Sequence, residues 1–211
     1  MCWNADVSLN TFLFSMFVLL LVFYNNHYTK YKIQYFDNKW MYVFLISAFS
    51  MQLIEYFIWK NIKNDYYNKI FTICALFLVF FQPVASLMLL GNHSLRNILL
   101  SAYLLIGIPI LIYTIYTEKL ISVVSKKSGN LIWSMDPNGV LPLWTVALLF
   151  SFVYEKNWVP VILAIISLSI FVYKEFSSAG SVWCWFINSI SVYLAIYLLF
   201  YLPYIENQKI C

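Results

Sequence analysis

Charge is scarce in this chain, and so are histidine and usefully spaced cysteine. Asp, Glu, Lys and Arg make up only 10% of the 211 residues, against about 25% in soluble domains. Hydrophobic residues reach 63%, where about 45–50% is usual. No water-soluble fold of this size buries that much apolar surface, so the bilayer must act as solvent. The net charge of +4 is scattered. Lys126-Lys127 is the one adjacent basic pair, far short of the roughly 4–8 clustered charges of a lipid-headgroup site. No patch implies a nucleic-acid partner. The four cysteines, Cys2, Cys74, Cys184 and Cys211, lack CxxC spacing, which signals neither a zinc site nor a redox motif. No metal or cofactor is expected.

Long apolar runs are what the chain does have. A helix needs roughly 20 apolar residues to cross about 30 Å of hydrocarbon. Seven runs qualify as spans: Val7 to Tyr24, Trp40 to Trp59, Ile70 to Leu90, Ile98 to Tyr116, Val140 to Tyr154, Val159 to Tyr173 and Val182 to Leu202. They predict an all-α integral membrane bundle of about seven transmembrane helices. Residues 1–211 form a single polytopic domain whose first partner is the lipid bilayer. The first run has neither a basic start nor a small-residue cleavage site, so it is expected to be an anchor. Trp and Tyr recur at the run ends, as in an aromatic belt. The fifth and sixth runs are the short ones. At 1.5 Å per residue, about 15 residues reach only about 23 Å. Each either extends into its polar flanks or joins the other in a re-entrant hairpin. Between the fourth and fifth runs lies a polar connection, Thr117 to Gly139, with Ser-Gly-Asn and Asp-Pro-Asn-Gly turn signals.

Parity sorts the loops onto two faces. The N-terminal face collects Lys60, Lys63, Lys69, Lys119, Lys126, Lys127 and Lys174. The opposite face collects Lys30, Lys32, Lys39, Arg96, Lys156 and Lys209. Seven against six does not orient the protein. The first helix tips the balance: no Lys or Arg precedes it and three follow, which places the N-terminus outside. No inverted repeat relates helices one to three with helices five to seven.

Candidate site residues concentrate towards the N-terminal face. Glu55 is an acid within the second span, about four residues from its end and so roughly 6 Å below the interface. Ala48, Gln52, Glu55 and Trp59 share one helical face. A buried charge there costs a few kcal/mol unless paired, hydrated or protonated. It is either a ligand, proton or cation contact, or a glutamate that snorkels or pairs with Lys60 or Lys63. Helix three carries Phe81-Gln82-Pro83 and Ser86. Pro83 withdraws a donor from the Val79 carbonyl and predicts a kink. Gln82 and Ser86 can serve a ligand or a helix seam. In helix seven Ser181, Trp185, Asn188, Ser191 and Ala195 form a small or polar stripe beside Trp183 and Cys184. It is a binding wall or a packing seam. Gly107-Ile108-Pro109 in helix four reads as a kink.

Some chemistries are excluded. Helix seven has no lysine for a retinal Schiff base. His27 and His93 fall on the face opposite Glu55, so no His-Glu pair or His-rich zinc site forms near it. Pairing of Cys2 with Cys184 stays open if that face is oxidising; independent thiols are the default.

The order of short motifs is a further guide. Met1-Cys2-Trp3, Val7-Ser8, Gln52-Leu53-Ile54-Glu55, Phe81-Gln82-Pro83, Gly129-Asn130-Leu131-Ile132-Trp133 and Trp183-Cys184-Trp185 run through most of the chain. Together they resemble a family of small uncharacterised multi-pass membrane proteins found in microbes and large DNA viruses. Relatives tend to have Asn after the Gln-Pro pair, where this chain has Ser86-Leu87, and they order the helix-two Glu and Gln differently. The resemblance implies which residues to watch and lends no activity.

Three functions follow as expectations. The first is binding or passage of a small molecule or lipid through a pocket between helices two, three and seven. Glu55 and Gln52 would contact it, with Gln82, Ser86 and Asn188 deeper and Ser181, Trp183 and Trp185 as wall. The second is a lipid-modifying enzyme with Cys184 or a serine as nucleophile and Glu55 as base. The absence of a nearby histidine counts against it. The third is an accessory membrane protein in which each polar stripe is a helix seam.

Overall fold

The computed structural model describes residues 4–30, 32–134 and 137–208, with side chains of 137–142 and 206–208 excluded. Among these residues the chain forms seven helical runs. They are α1 (Ala5–Tyr28), α2 (Lys39–Lys60), α3 (Asp65–Leu87), α4 (His93–Thr117), α5 (Pro137–Tyr154), α6 (Trp158–Lys174) and α7 (Phe176–Ile205). Five of them, α1 to α4 and α7, are long and apolar enough to cross a membrane. The protein is an all-α bundle of the multi-pass membrane class.

Most helices begin earlier than their apolar runs, and the cause is capping. Asn4, Asn38, Asn64 and Asn92 each precede a helix and accept a backbone N–H from its first turn, at 2.9, 3.0, 3.3 and 3.1 Å. An Asn side chain satisfies a donor that the helix start leaves orphaned. The caps move the start of α3 to Asp65 and that of α4 to His93, well ahead of Ile70 and Ile98. At α5 the Pro-Asn-Gly part of the turn signal lies in the first turn of the helix instead of forming a turn before it. Pro137 is its first residue, a position where the missing N–H is needed by nothing.

The two short helices are accordingly longer than their apolar cores. α5 has 18 residues and α6 has 17, or about 27 and 26 Å at 1.5 Å per residue. α5 runs parallel to α3 along its length. Trp144 lies at Val79, Ser151 at Ser86, and Glu155 at Gly91. α6 returns antiparallel to α7, with Ser167 beside Trp183. Loop contacts agree. On the opposite face Tyr35 reaches Asn157 and Asn38 reaches Leu89. On the N-terminal face Asn68 reaches Ser122 and Ser125 reaches Glu175. Both helices therefore traverse the bundle, and the chain reverses direction at each of the six connections between its seven helices.

α2 and α3 occupy the centre. In the most apolar 18-residue window of α2 half the residues are buried, against 22% in α4. α2 packs on α1, α3 and α7, and α3 on α4 and α5. The outer faces are apolar too: Leu105 is 77% exposed and Leu20 63%. A helix that is hydrophobic all round needs an apolar solvent.

The connection from α4 to α5 is folded. β1 (Val123–Val124) pairs antiparallel with β2 (Leu131–Ile132). Its turn is the Ser-Gly-Asn signal, with Gly129 at φ +72°, a left-handed conformation glycine adopts without steric cost. Leu120, at the entry, is also left-handed (φ +45°) and fully buried. Burying its side chain offsets a backbone strain of about 1–2 kcal/mol. This hairpin caps the N-terminal end of the bundle.

Candidate functional site

The lower end of α2 carries the predicted polar face, and it points inward. Ala48, Gln52 and Glu55 are all buried, with Gln52 and Glu55 at 0% exposure. Glu55 therefore does not snorkel to water. Gln52 Nε2 donates to Glu55 Oε2 at 3.0 Å. Their i, i+3 spacing places the two side chains on one face, one turn apart. Across the interface from α7 comes Cys184, buried and within electrostatic reach of Glu55.

α7 reaches this end through small residues. A Cβ on Gly180 would lie 3.2 Å from the Trp133 ring, so the glycine lets the tryptophan that follows β2 close on the helix. Ser181, also buried, donates to the Leu131 carbonyl at 2.7 Å. Glu175, in the turn before α7, accepts from Ser125 Oγ at 2.5 Å and from Ser178 Oγ at 2.9 Å. Hydroxyl donation from Ser125 and Ser128 holds its carboxyl below the usual carboxylate range, with further help from Ser178 and Lys127. The hairpin is thus bonded at its base to α7 and at its turn to the α6–α7 connection.

Several buried polar atoms at this end have no hydrogen-bond partner: Ser8 Oγ, Gln52 Oε1, Trp59 Nε1 and Trp133 Nε1. Fewer than one in ten buried polar groups is normally left so. Two are donors from indoles, one is an amide acceptor, and one is a hydroxyl. They sit at the same end as the Glu55 carboxylate.

The deeper candidates face other neighbours. Gln82 Nε2 donates to the Ser47 carbonyl of α2 at 3.4 Å. Ser86 Oγ donates to the Leu148 carbonyl of α5 at 2.6 Å and meets Ser151 Oγ at 2.7 Å. Asn188 Oδ1 accepts from Ser15 Oγ of α1 at 2.8 Å, and its Nδ2 donates to the Cys184 carbonyl at 2.7 Å. The backbone tightens there: the Asn188 N–H bonds Trp185 three residues back. The side chain takes over the carbonyl this leaves. Trp183 turns to α6, donating to Ser167 Oγ at 3.1 Å, and Trp144 meets it edge-on. Trp185 is half-buried. So the structure brings Gln52, Glu55, Ser181 and Cys184 to one end. Gln82, Ser86, Asn188 and Trp183 lie in separate seams with α2, α5, α1 and α6.

Pro83 and Gly107 have structural partners. The Val79 carbonyl, whose helical donor Pro83 removes, accepts from Trp144 Nε1 at 2.9 Å. A Cβ on Gly107 would meet Phe80 Cε2 at 2.6 Å; the glycine makes room for that ring.

Sequence reasoning missed Asn68, Thr72 and Ser122. Asn68, fully buried, bonds both backbone groups of Ser122, each at 2.9 Å. Thr72 and Ser122 hydroxyls meet at 2.8 Å. Asn68 and Thr72 stand at i and i+4 across the start of the third apolar run, a signal that a polar face was turning inward.

Among the described residues no three His, Cys, Asp or Glu side chains cluster to hold a metal. Cys74 and Cys184 are free thiols. Cys2, the candidate partner of Cys184, lies outside the described residues, as do Met1, Trp3 and Cys211. His27 and His93 stand at the end of α1 and the start of α4, at the opposite face from Glu55. Comparison with protein-family models, curated proteins and solved structures finds no match to this chain. The function must be argued from the site itself.

Proposed function

We propose that this multi-pass membrane protein binds a small polar or amphipathic molecule between the C-terminal end of α2 and the N-terminal end of α7, beneath the hairpin. Glu55 is the ionisable contact and Gln52 the amide contact. Trp59 and Trp133 supply indole donors, and Ser181 and Cys184 form the α7 side. The observation that carries this reading is the Gln52 carbonyl oxygen, fully buried beside a carboxylate with no hydrogen bond of its own. Leaving such a group unsatisfied costs about 1–3 kcal/mol, and a ligand donor removes that cost. Passage of the ligand would require the hairpin to undock, since it covers this end. The N-terminus and hairpin face the outside, in keeping with the three lysines that follow α1.

The test is thermal-shift measurement on detergent-purified protein against amines, amides and lysolipids, with Gln52→Leu and Glu55→Gln alongside. A compound that stabilises the wild type and neither variant supports the site. Identical responses in all three proteins remove the pair from the account.

A second reading, that of an accessory protein without a ligand, draws on the deeper residues. Gln82, Ser86 and Asn188 each bond a neighbouring helix, as polar glue does in membranes. It predicts co-purification of a fixed partner and indifference to Glu55→Gln.

A further inference from the structure

A groove of about 620 Å³ opens between α1 and α2 at the other end of the bundle, on the face opposite the N-terminus. It falls within the range of ligand sites, about 300–1,000 Å³, and shares no residue with the Gln52–Glu55 site. Its walls change character with depth. Towards mid-membrane they are Met16, Leu19, Leu20 and Ile46. Leu20 and Ile46 are 63% and 42% exposed, so the groove opens sideways into hydrocarbon. About seven residues from Leu20 and Ile46 towards the α1–α2 connection, or roughly 10 Å at 1.5 Å per residue, the walls become His27 and Lys39, joined by Lys32 and Asp37 of the connection. Those four are exposed. Two lysines and a histidine face one aspartate there. Between the two zones stands Tyr42, held edge-on by Phe23 and Phe36. Its hydroxyl is buried and has no hydrogen-bond partner.

We infer that this groove holds an anionic phospholipid drawn from the bilayer. One acyl chain lies along Leu20 and Ile46, and the phosphate sits between Lys32 and Lys39. An apolar slot that opens laterally admits its occupant from the membrane and not from water. The cationic end supplies the charge that a phosphodiester with an uncharged headgroup lacks. The Tyr42 hydroxyl stands at the depth of the ester carbonyls, which accept the hydrogen bond it does not otherwise make.

The experiment is native mass spectrometry of the full chain in neutral detergent. It is titrated with dioctanoyl phosphatidylglycerol, dioctanoyl phosphatidylcholine and chain-free glycerophosphoglycerol. A lysine near an anionic headgroup contributes roughly a fivefold preference, and Asp37 offsets part of it. Phosphatidylglycerol is therefore expected to bind about tenfold more tightly than phosphatidylcholine, and glycerophosphoglycerol not to compete. Lys32→Ala/Lys39→Ala should abolish the preference. Leu20→Trp, which fills the apolar slot, should weaken both lipids. Lys126→Ala/Lys127→Ala, at the hairpin turn, should change neither. Equal affinity for the two lipids overturns the inference, as does a preference that survives loss of both lysines. Competition by glycerophosphoglycerol at equal concentration would also overturn it, since the occupant would then be a soluble anion.

Discussion

Replacing Asn68 with alanine should release the hairpin without unfolding the bundle. Asn68 joins α3 to the α4–α5 connection through two 2.9 Å bonds, one to the Ser122 N–H and one to its carbonyl. Ser122 is only 1% exposed, so Asn68→Ala leaves a buried donor and a buried acceptor unpaired. Each costs about 1–3 kcal/mol. The Thr72–Ser122 bond remains and offsets part of the loss. A net penalty of about 3 kcal/mol follows, which raises the opening constant of the segment roughly 150-fold at 1.36 kcal/mol per decade. The helices stay packed, because the α2–α3 and α3–α5 contacts do not involve this residue's amide. Hydrogen exchange read by mass spectrometry should therefore show protection falling in residues 120–132 and holding in the centres of α2 and α3. Asn68→Asp keeps the acceptor for the Ser122 N–H and sets a carboxylate against its carbonyl, so it should behave no better. Unchanged protection of the hairpin in Asn68→Ala would refute the clamp, and uniform loss across all helices would refute its local character.

Other outcomes are expected. Trp144→Phe orphans the Val79 carbonyl and should destabilise by about 1–3 kcal/mol. Pro83→Ala restores a backbone N–H at that carbonyl, so the double variant should lose less than the sum, as measured by a denaturation cycle; strict additivity would deny the link. Gly107→Ala drives a methyl to 2.6 Å from Phe80 Cε2 and should cost about 1–3 kcal/mol, with partial rescue by Phe80→Leu. Ser15→Ala should cost about 0.6 kcal/mol, typical of interhelical bonds in membranes; a loss several times larger would mean Ser15 does more than bond Asn188. Glu175 has a depressed folded-state pKa, so its contribution to hairpin docking is complete above the ordinary carboxylate range. Docking should weaken as pH falls through the lower folded-state value, visible as hairpin exchange in acid. Glu175→Gln should remove that dependence.

Much of this architecture was legible because the bilayer simplifies the problem. Backbone groups in hydrocarbon must be satisfied within a helix, so apolar runs translate directly into spans. Helical spacing put Ala48, Gln52 and Glu55 on one face, but it left open whether Glu55 turns inward or snorkels, and only the packing on α7 buries it. Helix starts were less legible, because an Asn cap outside the apolar run sets them, as at Asn64 and Asn92. Partnerships were not legible at all. The orphaned Val79 carbonyl could be foreseen from Pro83, but not that Trp144, 65 residues on, would fill it. Asn188 plainly needed a partner in hydrocarbon, yet Ser15 lies 173 residues away. Only the packing order of the helices selects it, and local sequence does not encode that order. The connection Thr117 to Gly139 looked like a loop because its fold depends on Asn68, Glu175 and Gly180.

The central claim is that all seven helices traverse the membrane, with the hairpin and the α6–α7 turn on one side. Single cysteines placed at Lys126, Lys174 and Asn157, with the native cysteines replaced by serine, test it by reaction with a membrane-impermeant maleimide on intact cells. Lys126→Cys and Lys174→Cys should label from one side and Asn157→Cys from the other. Labelling of Asn157→Cys together with the first two would make α5 and α6 a re-entrant pair, and separation of Lys126→Cys from Lys174→Cys would break the alternation itself.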